Sequence, residues 1–317
     1  MRWAFVMTAA AGVFIGHAGG PARADVALSG PDSNAGSYSI SALEAAAFND
    51  GTATDGSLTG VSLWGLLGGA SGGVVTSTPA GDNSKNAILR YYVIGTSATG
   101  QQSVVSLGEV DPSFGTTAAF IAYQHTGGSA LAAPELVVTG APGRDLTNLT
   151  SLQLMAVPAL PSGGGGASTS VQLSGTVTRP GTYTAADLIA HFTSVTESVS
   201  GDNYTGVPLF SFIDSDDSNI TGQIVVAQAT DGYEVVYSLA ELDPSLDGNA
   251  GDLLPYADTG TDFPGDGVAR TILPGDNKHG RWVSNVDAII VADVPEPASL
   301  TLLAAGLGLV GWFRRAR

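Results

Sequence analysis

The chain repeats itself, and that constrains its fold more than any other feature. Leu28-Ser29-Gly30 returns as Leu173-Ser174-Gly175, and Gly36-Ser37-Tyr38 as Gly181-Thr182-Tyr183, both 145 residues on. Thr59-Gly60-Val61 returns as Thr205-Gly206-Val207 after 146 residues, and Glu109 and Asp111 return as Glu241 and Asp243 after 132. Gly143-Arg144-Asp145-Leu146-Thr147-Asn148-Leu149 matches Gly280-Arg281-Trp282-Val283-Ser284-Asn285-Val286 after 137. The matches never cross in order, so two tandem domains of one fold are expected. They take residues 25–157 and 171–293, joined by a Gly/Ser/Pro linker at 158–170 that contains Gly163 to Gly166 in succession. The offset shortens between Gly60 and Glu109, which places an extra loop in the first copy at residues 68–83.

Each copy reads as α+β and strand-rich. A short strand precedes the Ser-Gly pair. A helix follows at 39–48 or 184–192, with Ser41 and Thr184 as expected N-caps and apolar residues four apart. A second apolar helical segment is expected at 61–67 and 207–213. Strands rich in Val, Ile and Tyr follow at 87–94 with 103–106, and at 223–229 with 233–237. Residues 149–157 and 288–292 close the two units.

Charge narrows the partners. Five of the 12 basic residues stand at the ends (Arg2, Arg23, Arg314, Arg315 and Arg317), leaving seven against 29 acidic residues between Arg23 and Arg314. A stretch of net charge −22 repels phosphate backbones, so no nucleic acid is expected. The absence of cysteine removes disulfides, thiolate nucleophiles and thiolate metal sites together.

The two ends carry an address. Met1-Arg2, an apolar run from Ala4 to Gly16 and the small-x-small site Ala22-Arg23-Ala24 are the parts of a secretory signal peptide, residues 1–24. At the other end Val294-Pro295-Glu296-Pro297 precedes an apolar run from Leu300 to Phe313 and the cluster Arg314-Arg315-Ala316-Arg317. That run is short for a hydrocarbon core of about 30 Å, and the arginines would stay cytoplasmic. Residues 294–317 therefore read as a short transmembrane helix that holds the precursor temporarily in the inner membrane. This tail resembles the PEP-CTERM sorting signal. The resemblance implies export by the secretion machinery of a Gram-negative bacterium that makes extracellular polysaccharide. It also implies cutting near Pro295–Pro297 by an exosortase, a membrane-embedded protease.

The second copy offers a further likeness. Its landmarks are Tyr183-Thr184-Ala185-Ala186-Asp187-Leu188, Tyr204-Thr205-Gly206-Val207-Pro208-Leu209, Asp231-Gly232-Tyr233, Ser238-Leu239-Ala240-Glu241-Leu242, Leu273-Pro274-Gly275-Asp276 and Gly280-Arg281-Trp282-Val283. In order and spacing they resemble the molybdopterin-binding oxidoreductase domain, the sulfite-oxidase-like fold, over most of residues 171–291 and more faintly over 26–154. The resemblance implies a metal held by a cysteine thiolate and a pterin phosphate held by basic groups of the closing segment. Here there is no cysteine, and only Lys278, His279 and Arg281 remain as candidate cofactor residues. The expectation is therefore two such domains without bound cofactor, and no catalytic or metal site.

Other chemistry finds less footing. His125, His191 and His279 show no metal spacing, and no Gly-x-Ser-x-Gly elbow or phosphate-cradling Gly-Lys-Ser/Thr loop exists. Asp214-Ser215-Asp216-Asp217-Ser218-Asn219 lacks the Gly and Glu of a calcium-binding hand, Asn219 and Val225 standing in their places. Glu109, Asp111, Glu241 and Asp243, each near a proline, read as turn-capping carboxylates; a catalytic pair would need both in one cleft. The chain thus reads as a non-catalytic, exosortase-sorted surface or extracellular-matrix protein with a structural or ligand-binding role, and extracellular polysaccharide as a candidate partner. The alternatives are a molybdopterin-dependent oxidoreductase with atypical ligation around Arg281, and a calcium-dependent adhesin.

Overall fold

One strand order occurs twice. In the computed structural model, which describes residues 25–31, 34–50, 52–69, 86–158, 164–214, 219–246, 248–258 and 268–295, the first copy of the repeat opens with β1 (Val26–Ser29) and β2 (Gly36–Tyr38). Then come α1 (Ile40–Asp50), β3 (Thr52–Asp55), β4 (Leu58–Ser62), α2 (Leu63–Leu66), β5 (Tyr91–Ser97) and β6 (Gln102–Ser106). The copy ends with α3 (Leu107–Val110), β7 (Ala119–His125), β8 (Ala130–Val138) and β9 (Leu149–Ala156). The second copy has β10 (Val171–Gly175), β11 (Gly181–Tyr183), α4 (Ala185–His191), β12 (Val195–Val199), β13 (Asp202–Pro208) and α5 (Leu209–Ile213). It continues through β14 (Gln223–Ala229), β15 (Glu234–Ser238), α6 (Leu239–Leu242), β16 (Leu253–Ala257) and β17 (Val286–Asp293).

The large sheets are ordered β2-β1-β9-β5-β6 and β11-β10-β17-β14-β15. In each, the opening strand pairs parallel with the closing strand and the remaining pairs are antiparallel. The smaller sheets correspond in part: β12-β13-β16 matches β3-β4-β7, while β8 has no counterpart among the described residues. Local geometry repeats with them. A bulge falls before Gly60 in β4 and before Gly206 in β13. A Cβ on Gly60 would run into the Ile121 carbonyl, and one on Gly206 into Pro255, so only glycine lets the neighbouring strand approach there.

The expected helix–strand sequence needs three corrections. The segments 61–67 and 207–213 are not helical throughout. Val61 and Ser62 still belong to β4, Val207 and Pro208 to β13, and only one helical turn follows, because buried Val61 is paired with Thr52 and Ile121 and buried Val207 with Leu254 in their sheets. Residues 87–90 form a 3₁₀ turn, and the strand begins at Tyr91. Ser39, not Ser41, accepts from the first turn of α1, through Ala42 N–H at 3.2 Å. Thr184 caps α4 as expected, in a reciprocal box with Asp187. The short capped turns α3 and α6, and strands β7, β8 and β16, had no clear periodicity to announce them.

Each copy has its own core. Where the two large sheets meet, a third cluster forms from Tyr92, Ile94 and Val104 of one copy and Ile224, Val226 and Val236 of the other, closed by Val157 and Val294. Leu89 crosses the seam to join the second core. Among the described residues no helix is long and apolar enough to cross a membrane. The expected signal peptide at 1–24, most of the extra loop, residues 159–163 of the linker, the acidic loop 215–218 and the tail from Glu296 onward, with its expected transmembrane helix, lie outside the described residues.

Candidate functional site at the seam

The seam is built from two identical capped turns. β6 runs into α3 at Ser106, and β15 runs into α6 at Ser238. In each turn the serine hydroxyl accepts from the backbone of the glutamate three residues on, and that glutamate accepts from the serine N–H. Glu109 accepts from Ser106 N–H at 2.7 Å, and Glu241 from Ser238 N–H at 2.8 Å. The aspartates two residues later hold the next turn, Asp111 accepting from Ser113 N–H and Asp243 from Ser245 N–H, both at 2.8 Å.

The two turns then engage each other. Ser106 Oγ donates to Glu241 Oε1 at 2.9 Å, and Ser238 Oγ donates to Glu109 Oε1 at 3.3 Å. Each glutamate also meets an arginine of its own copy. Arg144 grips Glu109 with two parallel bonds of 2.9 and 2.8 Å and reaches Ser238 Oγ at 3.0 Å across the seam. Arg281 donates to Glu241 Oε2 at 2.6 Å and to Asp276 Oδ1 at 3.2 Å. Both arginines are buried. Arg90 and Glu234 form a further buried ion pair between the copies, 2.8 Å apart.

Beside these groups lies a pocket of about 110 Å³ whose lining includes Arg144, Glu241, Asn249, Asp252, Asp276 and Arg281. Two guanidiniums face four carboxyl groups here, counting Glu109. Burial pushes the Asp252 carboxyl up to about 8, with the Glu241 charge adding to it. Burial likewise raises Glu241 to about 7 and Asp276 to about 6, in both cases against the pull of Arg281. Burial works against the charge of Arg281, yet Glu241 and Asp276 hold its pKa above the ordinary arginine value. Asp276 Oδ2 has no hydrogen-bond partner among the described residues.

The three candidate cofactor residues are separated by the 3₁₀ turn His279–Arg281. Arg281 points into the acidic pocket. Its carbonyl accepts from Tyr237 Oη and Thr271 Oγ1. Lys278 and His279 are exposed and border a different cleft, with Phe114, Tyr233 and Trp282. There the His279 ring stacks on Trp282, 3.7 Å between centroids and 10° from parallel. Sequence reasoning overlooked Arg144, Asp252 and Asp276. For Arg144 a signal existed: Gly143-Arg144 and Gly280-Arg281 recur, as do Glu109 and Glu241, so each copy keeps one arginine and one glutamate to pair. His125 and His191 are exposed, and among the described residues no group of three or more His, Asp or Glu is placed to hold a metal ion.

The sorting motif starts inside the fold. Val294 is buried in the cluster between the sheets, its N–H bonded to Gly222 O at 3.0 Å. Pro295 O accepts from Gln102 Nε2 of the first copy at 3.0 Å. Glu296 and Pro297 lie outside the described residues, as do Ala22 and Ala24. No curated protein matches the chain. Residues 293–317 match a family model described as the PEP-CTERM protein-sorting motif. That motif marks the chain as an exported protein, membrane-anchored as a precursor and sorted by an exosortase to the cell surface.

Proposed function

We propose that the body is a non-catalytic module, two tandem sulfite-oxidase-like units at residues 25–157 and 171–293, delivered to the surface or extracellular matrix for a structural or ligand-binding role. The observation that carries this reading is the occupation of Arg281. A basic group that would be needed by an anionic pterin phosphate is buried and neutralised by Glu241 and Asp276. The two guanidiniums that line the pocket beside it, Arg144 and Arg281, are already engaged by Glu109, Glu241 and Asp276, which leaves them unavailable to a phosphate. The chain also lacks a thiolate for molybdenum. The residues present do not fit that cofactor. A repeated fold joined by a buried ionic seam suits a rigid spacer or display unit. The remaining function would then reside on its acidic exterior, and extracellular polysaccharide is one partner this reading allows.

The test is elemental and pterin analysis of the protein recovered from the outer surface of its host. The expected result is no stoichiometric molybdenum or pterin. Both at one per chain, with oxidoreductase activity, would refute the proposal.

A further inference from the structure

We infer that the folded body holds the entrance to its own sorting motif, so that the sorting protease can read the tail only from Pro295 onward, after local release of Val294 and Pro295. The inference rests on the reading of the chain as an exosortase substrate and adds to it a constraint from the fold.

Val294-Pro295 does two jobs, and the first copy shows which came with the fold. The closing strand β9 is followed by Val157-Pro158, and the closing strand β17 by Val294-Pro295. Val157 and Val294 occupy the same cluster between the sheets and are buried to the same degree. Their backbone bonds correspond too: Val157 N–H donates to Arg90 O and Val294 N–H to Gly222 O, both at 3.0 Å. No sorting motif follows Val157. The valine and proline are therefore the normal finish of this fold, and the sorting signal is joined to it without a spacer.

The residues on the N-terminal side are worse placed for a protease. A peptide taken up as an extended strand binds through its backbone N–H and C=O groups. In β17 these groups are engaged on both sides, by β10 and by β14, since β17 is the middle strand of its sheet. Val294 and Pro295 are fixed by Gly222 and by Gln102, which belong to different copies, so release there also loosens the seam. Space is short as well. Four residues separate Pro295 from Leu300, where the apolar run begins, and the five Cα–Cα steps between them span about 18 Å at most when fully extended. The protease must work in that gap, against the face of the body that carries Gln102 and Gly222.

The experiment follows tail loss of the full-length precursor by pulse-chase in a host that carries an exosortase. Three proteins are compared: the natural chain, a Gly-Ser-Gly-Ser-Val insertion between Val294 and Pro295, which keeps a valine directly ahead of Pro295, and Gln102→Ala. The insertion is expected to speed tail loss about tenfold, the factor that keeping one valine buried is worth in a local opening equilibrium. Gln102→Ala is expected to speed it about fivefold, the factor for one hydrogen bond. The melting temperature of the purified precursor should be unchanged in the insertion variant, which separates motif release from unfolding. Cleavage of the natural chain at a rate that neither variant alters overturns the inference and leaves the sorting reading intact. Absence of tail loss in all three overturns the sorting reading and this inference with it.

Discussion

Ser106 and Glu241 lie 135 positions apart in the chain, yet the serine hydroxyl donates to the glutamate at 2.9 Å while also capping its own helix. With its counterpart from Ser238 to Glu109, this bond ties two copies of one turn into a single buried network. Ser106→Ala removes a helix cap and a hydrogen bond to a charged group at once. The expected cost is about 2–4 kcal/mol from those two losses together. Urea unfolding of the body measures it. A cost near that of the cap alone, about 1 kcal/mol, would mean that the crossing bond contributes nothing.

Arg281 offers a sharper test of the ion pairs. Arg281→Met leaves Glu241 and Asp276 buried without their cation and should destabilise by about 3–5 kcal/mol. Arg281→Met combined with Glu241→Gln should recover part of that loss, because the stranded charge goes with it. A double-mutant cycle in denaturant reads the coupling. Strict additivity of the two substitutions would contradict direct pairing.

The acidic pocket sets the direction of the pH dependence. Asp252, Glu241 and Asp276 keep their protons in the folded chain at pH values where the unfolded chain has lost them. The folded state therefore binds more protons between the ordinary carboxylate range, near pH 4, and about pH 8, and stability falls as pH rises through that window. Each proton involved contributes a slope of about 1.4 kcal/mol per pH unit. Thermal melts at pH 5.5, 7 and 8.5 should show a steadily falling melting temperature. Asp252→Asn should flatten the upper half of the curve, and a melting temperature that rises with pH would rule the mechanism out.

Close packing at the seam is equally exposed to test. A Cβ on Gly280 would strike the Phe114 ring, and one on Gly143 would meet Leu246 Cδ2 at 2.5 Å. The two glycines are equivalent in the repeat, and in each case the obstacle comes from the other copy. Gly280→Val should cost about 1–3 kcal/mol through overpacking, and Phe114→Leu in the same chain should relieve part of it. Gly143→Ala should cost less, since a leucine end can shift further than an aromatic ring. Equal costs for both would mean that the seam adjusts freely.

Much of this was legible in the chain. The ordered matches between the halves fall on two large sheets of the same strand order. Thr184 announced its helix, and the tail its address. The reading failed where local and long-range demands competed. Val61 and Val207 lie in apolar runs that look helical, but sheet neighbours claim them. Asp252 and Asp276 look like ordinary surface acids, because nothing local distinguishes a buried carboxyl from an exposed one.

The sequence by itself determined the duplication, the absence of thiolate chemistry and the sorting motif, since each depends on residue identity and order alone. The tertiary structure decided how the copies meet. It placed Arg281 inward against Glu241 while Lys278 and His279 stayed at the surface, and it drew Val294 into the space between the sheets. Those choices depend on groups more than a hundred residues apart competing for the same desolvated volume, a competition that no local pattern encodes.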